Sequence, residues 1–191
     1  MAAPEGPGAL RRRVSEAISD KDTGAALYKI RSIAPKKAIN PLVSLLYSGD
    51  ARFKKMVVSV FGDVMASLAV EDMEAARIVM RRLMWSLNDE SGGIGWGAPE
   101  AMAEAMTRSE PLAREYAHIL VSYICEDGNY LEYAPLRKGA LSGIARLAEE
   151  RPILLERLKT KGCLEPFLAS EDPEERDAAR KALASLNKDS D

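Results

Sequence analysis

One histidine and two cysteines in 191 residues leave little material for the common metal and nucleophile chemistries. A zinc-protease site of the HExxH type needs a second histidine, which His118 lacks, so no catalytic or metal-ligating residue is assigned. Cys125 and Cys163 lie far apart, without a CxxC spacing or a dense cysteine framework, and are expected to be two buried free thiols. No uninterrupted apolar run approaches the ~20 residues that span a bilayer, and the first eight residues lack the apolar core of a secretory signal. No membrane association is expected, and the expected compartment is the cytoplasm. Nor does any window alternate apolar and polar residues between hairpin turns, which argues against a sheet.

What is present is ordinary globular material, 47% hydrophobic and 29% charged. The expectation is one domain over 1–191, with 1–7 and 188–191 as flexible ends. Net charge is only −2, but it is unevenly spread. Residues 1–87 hold 14 basic and 9 acidic side chains, 88–135 hold 2 and 9, and 136–191 hold 11 and 11. An acidic middle favours a basic partner and opposes a phosphate backbone.

The periodicity is helical. Phe53, Met56, Val57, Val60, Phe61, Val64, Met65 and Leu68 recur at three- and four-residue steps behind Asp50 as a cap. Met73, Ala76, Met80, Leu83, Met84 and Leu87 repeat the pattern, giving an antiparallel hairpin with the preceding helix. Further stripes run through Leu112, Tyr116, Ile119, Leu120, Tyr123 and Ile124, then through Leu136, Ala140, Ile144 and Leu147. Asp172, Pro173 and Glu175 supply a cap, a first-turn proline and a capping-box acid for a helix over 173–187. Earlier helices are expected over 8–19, 22–33 and 41–48, the last with Asn40 as cap and Pro41 at its first position.

The chain also resembles itself. At an offset of 36, Glu90, Gly92, Ala98 and Pro99 match Glu126, Gly128, Ala134 and Pro135. At 39, Arg137, Ala140, Ile144 and Leu147 match Arg176, Ala179, Leu183 and Leu186. These are periods of helix-pair repeats. Segments 136–147 and 172–186 resemble the HEAT-like repeats named after phycobilisome lyases, in which an arginine, a small residue three positions on and an apolar stripe recur in the second helix of each pair. The resemblance implies an all-α fold, a right-handed α-solenoid of stacked antiparallel helix pairs. The repeat is an interaction scaffold, so lyase activity does not carry over. The small residues Ala140, Gly143, Ala179 and Ala182 would let neighbouring helices approach closely.

One segment breaks the pattern. Residues 88–100 hold four glycines within six positions, which excludes ordinary helix there. The run is no phosphate-binding fingerprint, since neither a preceding strand nor a lysine is present. Loops one repeat apart share an edge, so Asp89 and Glu90 should neighbour Glu126, Asp127 and Glu132. With Trp96, Tyr130 and Tyr133 close by, the edge would form an acidic, aromatic-lined site for a protein partner bearing an arginine, a lysine or another cationic feature. The functional expectation is a non-catalytic interaction scaffold, adaptor or assembly factor, with no cofactor. The alternatives are a lyase-like enzyme or a small-molecule- or chromophore-binding protein and, less favoured by an isoelectric point of 5.7, a nucleic-acid-binding repeat protein. Catalysis is left open, and the single histidine weighs against it. The oligomeric state is not specified by the sequence.

Overall fold

The computed structural model describes residues 6–19, 22–87 and 95–188. Eleven α-helices and one 3-10 turn account for the regular structure among these residues, with no strand. They are α1 (Pro7–Ile18), α2 (Thr23–Ile30), α3 (Pro35–Leu45), α4 (Ala51–Glu71), α5 (Met73–Ser86), α6 (Ala98–Arg108), α7 (Glu110–Ser122), α8 (Ala134–Glu150), α9 (Pro152–Arg157), α10 (Thr160–Leu164) and α11 (Pro173–Asn187), with the 3-10 turn over Glu165–Ala169.

The helices form two layers. α4, α6, α8 and α11 lie side by side in one, and α5, α7 and α9 each pack behind the helix they follow. α1, α2 and α3 close the N-terminal end against α4. One continuous set of buried side chains runs from Val14 through Phe61, Met102 and Leu120 to Leu186.

Each pair is joined by one residue. Asp72, Ser109 and Arg151 are at once the C-cap of the first helix and the N-cap of the second. All three leave the helical region, at φ/ψ of −157/89, −130/106 and −139/51. Their N–H groups donate to the carbonyls of Leu68, Ala105 and Leu147, completing the first helix before the chain turns back. Arg151 adds a clasp, donating from Nε to the Met106 carbonyl at 2.8 Å and from the guanidinium to that of Thr107 at 3.1 Å. Those carbonyls belong to the last turn of α6, which has no intrahelical donors for them.

Close packing between first-layer helices depends on absent side chains. A Cβ at Gly62 would lie 2.5 Å from Glu104 Cγ, and one at Gly143 would lie 2.8 Å from Ala103 Cβ. Ala140, Ala179 and Ala182 are fully buried along the same row.

Asp50 and Asp172 cap as the sequence implies, Asp50 accepting from the amides of Arg52 and Phe53 and Asp172 from Glu174. Other expectations need correction. Asn40 and Pro41 do not start the third helix: Pro35 stands in its first turn and Pro41 lies inside it. Residues 98–100 are helix rather than loop, forming the first turn of α6 with Pro99 near its start. Glu175 does not close a capping box, because its carboxylate accepts instead from Arg137 at 2.9 Å and Ser170 at 2.7 Å. Finally, Cys125 and Cys163 are not free thiols but a disulfide. Their separation of 38 residues is one repeat, so stacking brings them face to face.

Candidate functional site

The edge opposite the one-residue hinges carries the long connections and the N-terminal turns of α4, α6 and α8. Here the chain leaves α5 and α7 and returns to the first layer. α5 and α7 end alike: Ser86 and Ser122 donate Oγ to the carbonyl three residues back, at 2.6 and 2.7 Å. Gly128 then passes so close that a Cβ would lie 2.6 Å from the Ser122 carbonyl oxygen. Leu131 closes this loop by donating to the Tyr123 carbonyl at 3.0 Å, while burial pushes the Tyr123 phenol up to about 12. The disulfide ties Cys125, at the start of the loop, to α10. In the preceding connection, Gly97 turns the chain into α6 at φ +75, a conformation only glycine adopts without strain.

These two connections meet. Trp96 and Tyr133 pack edge to face with ring centroids 5.9 Å apart. Trp96 is half-buried, whereas Tyr133 is 47% exposed. Glu126, Asp127 and Glu132 are exposed and have no ion-pair partner among the described residues. Asp89 and Glu90 lie outside the described residues.

Two cations of the chain already use the aromatic faces. Lys54 Nζ sits 5.8 Å from the centre of the Trp96 ring, and the Arg137 guanidinium 5.3 Å from that of Tyr130. Tyr130 is thereby committed internally. Arg137 also donates to the carbonyls of Leu131 and Glu132, and Arg176 makes the same pair of bonds to Ser170 and Glu171. The arginine repeated at an offset of 39 is therefore a clamp on the loop before its own helix.

The acidic middle is partly neutralised by the fold. Glu115 pairs with Arg77 at 2.6 Å, and Glu110 with Arg114. Glu104 is buried between Arg108 and Arg146 at 2.8 and 3.2 Å. Glu100, one turn earlier on α6, has no such partner. Its Oε2 is sealed from solvent without a hydrogen bond, against the space left by Gly139. Burial holds its pKa above the ordinary carboxylate value, opposed first by a hydrogen bond from its own backbone amide and then by the Lys54 charge. Nothing in the sequence separates Glu100 from Glu104, since only neighbouring helices decide which carboxylate finds an arginine. His118 is exposed on α7. No cluster of three His, Cys, Asp or Glu groups suited to a metal occurs among the described residues.

Neither a protein-family model nor a curated protein matches the chain. Solved structures do. One engineered protein is similar over 95% of this chain at a TM-score of 0.52 and 16% identity, and the chain spans 48% of its length. A designed armadillo repeat protein, solved in complex with the peptide (KR)4, is similar over 94% of this chain and 82% of its own, at a TM-score of 0.52 and 21% identity. A second engineered protein is similar over 93% and 78% at a TM-score of 0.50 and 18% identity. The chain is a helical-repeat solenoid. In such stacks each pair contacts only its neighbours, and the rows of repeated loops and helices form extended surfaces. The solenoid's Trp96 edge is one such row, built by two successive connections. No described helix is long and apolar enough to cross a membrane.

Proposed function

We propose that this solenoid is a non-catalytic protein-interaction scaffold, an adaptor or assembly factor, that takes a basic segment of a partner protein along its Trp96 edge. One observation carries the reading: Glu126, Asp127 and Glu132 stand exposed, with no ion-pair partner among the described residues, on the loop that leads to the exposed Tyr133 ring and its Trp96 neighbour. An arginine or lysine arriving there gains charge pairing from the carboxylates and a ring face from the aromatics. Asp89 and Glu90, by their repeat offset, would extend the same acidic row. The armadillo solenoid solved with a (KR)4 peptide supports the reading, since a similar stack there meets a basic peptide. The kinship with HEAT-like repeats belongs to the same proposal, as does treating 1–191 as one domain.

The test is fluorescence anisotropy of a labelled peptide of alternating lysine and arginine. Saturable binding is expected, weakened about tenfold or more in Trp96→Ala/Glu126→Gln/Asp127→Asn/Glu132→Gln, as loss of several charge-assisted contacts implies. Equal affinity in a folded variant removes the site. The same reading puts the protein in the cytoplasm, where the Cys125–Cys163 bond would be kept reduced. Thiol alkylation in freshly lysed cells checks this, because an intact bond would place the protein in an oxidising compartment.

A further inference from the structure

The N-terminal end of the solenoid holds a cavity that shares no residue with the Trp96 edge. It has a volume of about 650 Å³ and lies between α1 and the start of α3. Its charged lining consists of Arg11, Arg13, Lys36 and Lys37, without a single carboxylate. Asn40 also lines it and accepts from the Arg82 guanidinium at 2.7 Å, which brings a fifth cation to the rim.

The charges around it are unevenly satisfied. Lys36 reaches the Asp72 carboxylate at 2.7 Å, and Arg13 donates to Ser32 Oγ at 3.3 Å. Arg11 and Lys37 are exposed and have no carboxylate partner among the described residues. Arg11 and Lys37, which have no such partner, keep the local field positive, and a bound anion relieves it. The helix that begins here adds to the field. α3 starts behind Ala34 with no side-chain cap, so its dipole adds positive potential here, although Pro35 has no N–H and the Lys37 amide already donates to the Ala34 carbonyl at 2.9 Å. Leu10, Ile33 and Pro41 supply an apolar wall. The volume falls in the range of ~300 to 1,000 Å³ typical of small-molecule sites.

We propose that this cavity binds a small phosphorylated molecule, its phosphates held by Arg11, Lys37 and the rim cations and its organic body against the apolar wall. The site is opposite in sign to the Trp96 edge, so the solenoid presents one surface for cations and one for anions.

Calorimetric titration with inorganic pyrophosphate at about 50 mM salt tests it, since phosphate contacts weaken steeply as salt rises. One site per chain is expected, with affinity falling about tenfold or more in Arg11→Gln/Lys37→Gln. Lys181→Gln/Lys188→Gln, which removes two exposed cations, one midway along α11 and one at its C-cap, should bind as wild type does. Absence of saturable heat, or equal weakening in both variants, overturns the proposal. A short DNA duplex that binds about a hundredfold more tightly than pyrophosphate, and is lost in the first variant alone, overturns the small-ligand assignment and puts nucleic acid in its place.

Discussion

Glutamine in place of Glu100 should raise the stability of the protein near neutral pH, although the substitution removes a charge from a helix in the middle of the fold. The Oε2 atom is sealed without a hydrogen bond, and the folded protein therefore carries the cost of dehydrating an ionised carboxylate. Keeping the carboxyl ionised there costs about 1–3 kcal/mol beyond what a neutral amide of the same shape incurs, which at roughly 2–4 °C per kcal/mol for a chain of this size gives a rise in Tm of about 2–12 °C. The pH dependence identifies the cause. Burial holds the folded-state pKa above its ordinary value, so between the two values the folded protein binds more protons than the unfolded chain. Stability then falls as pH rises through that window, and the penalty is fully present above it. The advantage of Glu100→Gln should accordingly be largest at neutral pH and vanish below about pH 3, where the carboxyl is protonated in both states. Urea unfolding of both proteins across this range is the assay. A destabilised variant, or a gain independent of pH, would refute the reasoning and imply that Glu100 has a partner or is hydrated.

Reducing the Cys125–Cys163 bond, or replacing both residues by serine, should cost about 4 kcal/mol for a loop of 38 residues, seen as a lower urea midpoint in reductant. Gly143→Ala should lose about 1–3 kcal/mol, because the new methyl meets the Ala103 Cβ and the Pro99 carbonyl at 2.8 and 3.1 Å; unchanged thermal unfolding would mean α6 and α8 can separate freely. Arg137→Met leaves the buried Glu175 carboxylate without its arginine and should cost about 3–5 kcal/mol, checked by the same denaturation. Lys54→Gln frees a face of Trp96 and removes a like charge, so a basic peptide should bind a few-fold more tightly, read by anisotropy.

The amphipathic helices were legible because their signals are local. Asp50 and Asp172 cap within three residues, and α4, α5, α7, α8 and α11 each show one apolar stripe. α6 differs: Ala98, Ala101, Met102, Ala103, Ala105 and Met106 are all buried, and its polar row, Glu100, Glu104 and Arg108 at four-residue steps, lies against neighbouring helices rather than forming a solvent face. Pro41 misled because proline is commonest at a helix start, while Pro35 already held that place. The disulfide was overlooked because no motif marks it, yet its separation of 38 is the repeat period itself. Of the candidate site, the repeat offset placed two loops on one edge. It could not reveal that Lys54 and Arg137 would occupy the Trp96 and Tyr130 rings, because those contacts cross between helices distant in sequence.

The single-residue hinges at Asp72, Ser109 and Arg151 divide the molecule into an edge that cannot change length and one that can. Inserting one residue at a hinge would rotate the following helix by about 100° and turn its apolar face toward water. The connection after Ser122 carries no such phase requirement, since the chain there has already left the helix. New residues, and with them new binding chemistry, can be written into the Trp96 edge while the opposite edge keeps the stack in register.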